Sequence, residues 1–120
     1  LLDDLDQRGL LDDTLVIWGG EFGRPGLTPG DGKDSTGHGV RGFTFWLAGG
    51  GVKRGHVHGV TADERPCKTL QDRVVIEDLH ATIHHTLGIS PKLSYEIEKR
   101  PFYVTRDGKG QPVRQVLARG

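Results

Sequence analysis

TLVIWGGEFGR, residues 14–24, is the stretch whose reading decides the fold. Thr14, Leu15, Val16, Ile17 and Trp18 form a short run rich in β-branched residues, and Gly19-Gly20 ends it abruptly. Runs of this kind are typical of strands buried in a parallel sheet, and open α/β sheets hold their ligands just beyond the carboxyl ends of such strands. Glu21 and Arg24 stand at that point on glycine-rich backbone around Gly23. An acid and a cation so placed fit a binding site. They fit equally a strand followed by a polar loop.

Outward from this strand, Leu1, Leu2, Leu5 and Leu10 read as the apolar side of a short helix closed by Gly9. Downstream, residues 19–41 carry eight glycines and two prolines. A loop of that length in a compact domain is normally functional or unstructured. Residues 43–48, FTFWLA, form the second expected strand and run into Gly49-Gly50-Gly51. The two strands are expected side by side, with their glycine exits at one sheet edge. No phosphate-loop pattern surrounds Gly32-Lys33, because Leu27 stands where the first glycine is needed and Asp34 follows the lysine.

Residues 52–60 suggest a short strand pair with His56 and His58 on one side. A helix is expected over residues 79–87, with Asp78 as N-cap, Leu79, Ile83 and Leu87 as its apolar stripe, and Gly88 at its end. The tail alternates Phe102, Val104, Val113, Val116 and Leu117 around Asp107-Gly108-Lys109-Gly110, which predicts a terminal β-hairpin turning on those glycines.

Four stretches in order carry a resemblance: GLLDDTLVIWGGEFGR (9–24), GFTFWLAGGGVKRGHVHGVTADE (42–64), EDLHATIHHTLGI (77–89) and FYVTRDGKGQPVRQVLA (102–118). Together they resemble the sulfatase-like family named domain of unknown function 1501. The strand end is also similar to that of the sulfatases, in the alkaline phosphatase superfamily, where an Asp-His-Gly triplet supplies metal ligands. The resemblance implies the C-terminal part of an α/β sandwich of the alkaline phosphatase type, with a mostly parallel sheet. Residues 1–89 would belong to its sheet and helix core, and residues 90–120 to a hairpin extension. The N-terminal part of the same domain would then be its partner.

By the same resemblance, the whole protein is a hydrolase of sulfate or phosphate esters that uses a divalent metal (Ca, Mg, Mn or Zn), with a small-molecule or glycan ester as substrate. Glu21, Asp34 and His38 become the expected metal ligands, and Arg24 and Lys33 the expected clamps on the ester oxygens. These residue types suit ester hydrolysis, since carboxylates and imidazoles hold divalent metals and cations neutralise a multiply oxygenated centre. Phe22 stands where a sulfatase has a histidine ligand, and extra residues separate Asp34 from His38.

The superfamily's attacking Ser, Thr or modified Cys precedes this region, and no catalytic nucleophile is assigned within the chain. Cys67 lies in ERPCKT, which lacks the Cys-x-Pro-x-Arg order of a sulfatase nucleophile. His80 and His84 have metal-ligand spacing on a helix, but no HExxH motif accompanies them, and they read equally as surface residues. Two further readings stay open: a non-catalytic superfamily member that binds an anionic ligand such as a sulfated glycan, and a structural piece whose glycines serve only its turns.

Composition narrows the classes. Glycine, at 19 of 120 residues, is about twice its usual ~7% share, and only 34% of residues are hydrophobic. A core built from this chain is therefore small. Sixteen basic and sixteen acidic residues cancel, and no basic stripe of the nucleic-acid-binding kind is present. No apolar run is long enough to span a bilayer, so neither nucleic acid nor membrane is expected as a partner. The lone Cys67 forms no internal disulfide and leaves the compartment open.

Overall fold

The computed structural model describes residues 1–23, 39, 41–63 and 67–118. Strand β1 (Leu15–Gly19) pairs with β2 (Phe45–Gly49) in a two-stranded sheet. The backbone N–H of Gly50 donates to the Thr14 carbonyl at 2.9 Å, and a Cβ on Gly19 would strike the ring of Phe45. The start of one strand therefore meets the end of the other, so the pair is antiparallel. The strands are neighbours as expected, but their glycine exits lie at opposite ends.

This overturns the expected sandwich with a mostly parallel sheet. The described strands form three separate two-stranded sheets: β1 with β2, β3 (Val60–Thr61) with β4 (Thr69–Gln71), and β5 (Ser94–Ile97) with β6 (Arg100–Tyr103). An apolar run signals a strand but not its direction. Parallel neighbours also need a crossover, usually a helix, and no described residue between β1 and β2 is helical. Nor are the strands buried on both faces, since Trp18 is 77% exposed and Trp46 46%.

The chain divides into two compact units. The first comprises Leu1–Leu15, Ala48–His56 and Val74–Gly120. Helix α1 (Leu2–Gln7) begins it, carries an Asp4–Arg8 ion pair at 2.7 Å, and is followed by Gly9 at φ +68°. The unit's principal helix, α2 (Ile76–Thr86), starts three residues before the expected point, and Val75 rather than Asp78 occupies its N-cap. The Asp78 carboxylate is engaged elsewhere: it accepts the backbone N–H of Gln111 at 2.8 Å. Gly88, at φ +74°, closes the helix as expected.

The helix buries Leu79, Ala81 and Thr82, whereas Leu87 is exposed. Small Ala81 lets the C-terminal segment approach, and the expected stripe of larger residues misses this face. Gly110 packs where a Cβ would collide with the Glu77 carbonyl. Val113 N–H donates to the Thr82 hydroxyl at 2.9 Å, and Arg106 reaches Glu77 at 3.3 Å. Val52, 8% exposed, and Leu117, 2% exposed, meet across an antiparallel bridge and complete the small core.

The terminal hairpin is β5–β6, and it turns at Glu98-Lys99 rather than at the Asp107–Gly110 glycines. Both turn residues take positive φ, +50° and +62°, the backbone of a type I′ turn. Arg106–Gly108 instead forms two overlapping turns, closed by Gly108 N–H to the Thr105 carbonyl and Lys109 N–H to the Arg106 carbonyl, with Asp107 at φ +52° and the Tyr103 ring against Gly108.

The second unit comprises Val16–Leu47 and Val57–Arg73. Here β3 and β4 pair antiparallel, with Val60 opposite Gln71 and Thr61 opposite Thr69. The pair expected within residues 52–60 does not form: Val52 bridges to Leu117, and only Val60 enters a strand. Phe43 and Phe45 meet edge to face at 5.4 Å. Most of the expected loop over residues 19–41 lies outside the described residues.

Candidate functional site

The β1 strand end is built from glycine. Gly19 lets the Phe45 ring lie against the backbone, and Gly20 then leads into Glu21, whose side chain is exposed. Two residues on, Gly23 and Gly39 exchange both backbone hydrogen bonds, at 3.0 and 2.7 Å. A side chain at Gly23 would collide with the carbonyl of Gly42. Gly42 itself sits with the Cys67 carbonyl 3.0 Å from where its own Cβ would be. Three backbone segments thus approach each other here, at Gly23 with a spacing that only glycine allows and at Gly42 with little room for a side chain. Gly23 and Gly39, which flank residues 24–38 in sequence, are thus held together by two hydrogen bonds.

Of the five residues expected to bind metal or substrate, only Glu21 is described. Arg24, Lys33, Asp34 and His38 lie outside the described residues. Among the described residues no three His, Cys, Asp or Glu side chains gather to hold a metal ion. Phe22 is partly exposed and contributes no ligand atom. The described part of the strand end therefore does not by itself fit a metal.

The remaining titratable residues take other places. His84 Nδ1 lies 2.8 Å from the His80 carbonyl, so that nitrogen carries the proton and donates within the helix. Among the described residues, neither histidine joins a group of three that could hold a metal ion. Cys67 is half-buried, at φ +53°, with its carbonyl against Gly42.

The first unit also holds an open cavity of about 590 Å³ at the Gly49 end of β2, and Asp12, Lys53, Arg54 and His56 line it. A smaller neighbouring cavity of about 390 Å³ shares Asp12 and Gly51 and adds His85. Sequence reasoning passed over Lys53 and Arg54. The signal was available in GGGVKRGH, where a glycine turn presents two adjacent cations, but it resembles any solvated turn.

With this geometry in view, the family model described as protein of unknown function (DUF1501) matches residues 1–117. The chain belongs to that family. The match takes in the β1 strand end, the cavity, α2 and the tail laid upon it, so nearly all of these features lie within the DUF1501 region. No curated protein and no solved structure matches the chain. No helix among the described residues is long and apolar enough to cross a membrane.

Proposed function

We propose that this DUF1501 chain is part of a sulfatase-like hydrolase of the alkaline phosphatase superfamily that acts on sulfate or phosphate esters of small molecules or glycans. The observation that carries the reading is the Gly23–Gly39 pair directly beyond exposed Glu21. In sequence, Arg24 follows one of these glycines and His38 precedes the other, so the described pair flanks the stretch that carries the other candidate residues. Glu21, Asp34 and His38 are the proposed ligands of a divalent ion, and Arg24 and Lys33 the proposed clamps on the ester oxygens. Such an ion supplies Lewis-acid neutralisation of the oxygens around the reacting centre. The attacking nucleophile comes from another part of the protein, and this chain alone does not turn over esters. The support is the strand-end acid and the residue types that follow it, not the sheet, whose strands pair antiparallel.

Phe22 favours a second reading. A side chain without a ligand atom at the triplet's central position suits a protein that binds an anion, such as a sulfated glycan, without cleaving it.

Calorimetric titration of Ca, Mg, Mn and Zn into the chain and its Glu21→Ala variant tests the enzyme reading. Binding that weakens by tenfold or more in Glu21→Ala supports it, since one carboxylate ligand is worth on the order of 1.4 kcal/mol or more. Equal metal affinity in the two proteins overturns it, and metal-independent capture of a sulfated glycan supports the second reading.

A further inference from the structure

The Lys53-Arg54-Gly55 turn projects from a firmly held base. Lys53 N–H donates to the Val116 carbonyl at 2.9 Å, Ala118 N–H donates to the Gly51 carbonyl at 2.8 Å, and Val52 bridges Leu117 between them. Gly49, Gly51 and Gly55 all lie in the left-handed region, at φ +89°, +78° and +65°. The base of the turn is thus tied to the C-terminal segment, and glycine permits the left-handed backbone that the turn uses.

Its charges are largely uncompensated. Among the described residues, no carboxylate lies within ion-pair distance of the Lys53 ammonium. Arg54 reaches Asp12 only at 4.0 Å, with both side chains more than four-fifths exposed, and such pairs hold little energy. The backbone N–H groups of Arg54 and Gly55 have no acceptor among the described residues. Turns that contain a left-handed residue can aim successive N–H groups into one concavity, and such concavities bind anions. Lys53, Arg54 and Gly55 line one cavity of about 590 Å³, whose only lining carboxylate among the described residues is that of Asp12. His56 also lines it, but with Asp12 it does not form a metal-binding group of three.

We propose that this cavity is a binding site for a tetrahedral oxyanion, the phosphate or sulfate group of a free ion or of a monoester. Lys53 and Arg54 supply the charge, the Arg54 and Gly55 N–H groups orient the oxygens, and Asp12 limits the affinity. The site uses none of the strand-end residues and stands whether or not Glu21 binds metal.

The test is a titration of the ¹⁵N-labelled chain with inorganic phosphate, inorganic sulfate and phenyl phosphate at constant ionic strength, followed by NMR. Saturable shifts are expected at the Arg54 and Gly55 amides. Lys53→Gln and Arg54→Gln should each weaken binding by about fivefold, the scale of one exposed charge contact. Asp12→Asn should tighten it, a change of opposite sign that general loosening of the fold would not produce. Glu21→Ala should leave it unchanged. Tighter binding of phenyl phosphate than of inorganic phosphate assigns the site to an ester, and the reverse order to the free ion. Shifts that sodium chloride reproduces, or affinities indifferent to Lys53, Arg54 and Asp12, overturn the proposal.

Discussion

The hydroxyl of Thr82 accepts the backbone N–H of Val113 at 2.9 Å while donating its own proton to the Asp78 carbonyl at 2.6 Å. Thr82 is only 3% exposed, so this one oxygen joins the middle of α2 to the C-terminal segment where water scarcely enters. Thr82→Val keeps the shape but strands the Val113 donor, which costs about 1–3 kcal/mol. We expect the melting temperature to fall by several degrees in Thr82→Val and by less in Thr82→Ser. Thermal denaturation followed by circular dichroism measures both, and equal melting of Thr82→Val and the parent chain would show that the clamp contributes nothing.

Gly110 is the second point at which the tail presses on α2. An added methyl would overlap the Glu77 carbonyl and sit 3.0 Å from Cβ of Ala81, so backbone has to move. Gly9 is the opposite case, with a left-handed φ of +68° and nothing within 4 Å of an added Cβ. Gly9→Ala should cost only the left-handed penalty of about 1 kcal/mol. Gly110→Ala adds overpacking of about 1–3 kcal/mol. Urea denaturation of the two variants should rank Gly110→Ala as clearly the less stable. The reverse order would mean that the tail yields easily.

Local elements were legible in the sequence, and long-range pairing was not. The apolar spacing and Gly88 located α2, yet Asp78 turned from a cap into an acceptor for Gln111, thirty-three residues away. The expected hairpin with strands at 102–104 and 113–117 does not form; the tail's hairpin pairs Ser94–Ile97 with Arg100–Tyr103, and Leu117 bridges Val52 instead. Glu98 and Lys99 adopt left-handed backbone without being glycine, so turn composition pointed to the wrong residues. The direction of β1 against β2 was invisible because apolar runs look alike in parallel and antiparallel sheets. At the site, Glu21 was legible as an exposed acid after a strand. The Lys53-Arg54 cavity was not, because its walls come from Asp12 and Ala118, far away in sequence.

The Gly23–Gly39 pair makes a prediction for exchange. Each amide donates to the other's carbonyl, so both should exchange more slowly than the Gly55 amide, which has no internal acceptor among the described residues. Gly23→Ala would drive a methyl into the Gly42 carbonyl and part the bridge. Hydrogen exchange read by NMR should show both slow amides lost together in that variant, while Leu79 on α2 stays protected. Retention of Gly39 protection in Gly23→Ala would show that this glycine is held by something other than Gly23.

Turnover sets a separate requirement. Covalent transfer of a sulfuryl or phosphoryl group needs an activated nucleophile next to the electrophilic centre. Cys67 is the only thiol, and it is half-buried on a left-handed backbone in a sequence order unlike that of a sulfatase nucleophile. Glu21 stands at the strand end, but Phe22 beside it brings no ligand atom. The chain alone should therefore leave an aryl sulfate and an aryl phosphate intact with Ca, Mg, Mn or Zn. On the proposed hydrolase reading, where the protein turns over an ester, Glu21→Ala and Lys33→Ala should each lower that turnover about a hundredfold, the usual cost of one preorganised charge in the transition state. Glu21 is exposed, so its replacement should leave melting nearly unchanged. Turnover by the chain that survives Cys67→Ala and vanishes in Glu21→Ala would show that the nucleophile lies within these residues after all.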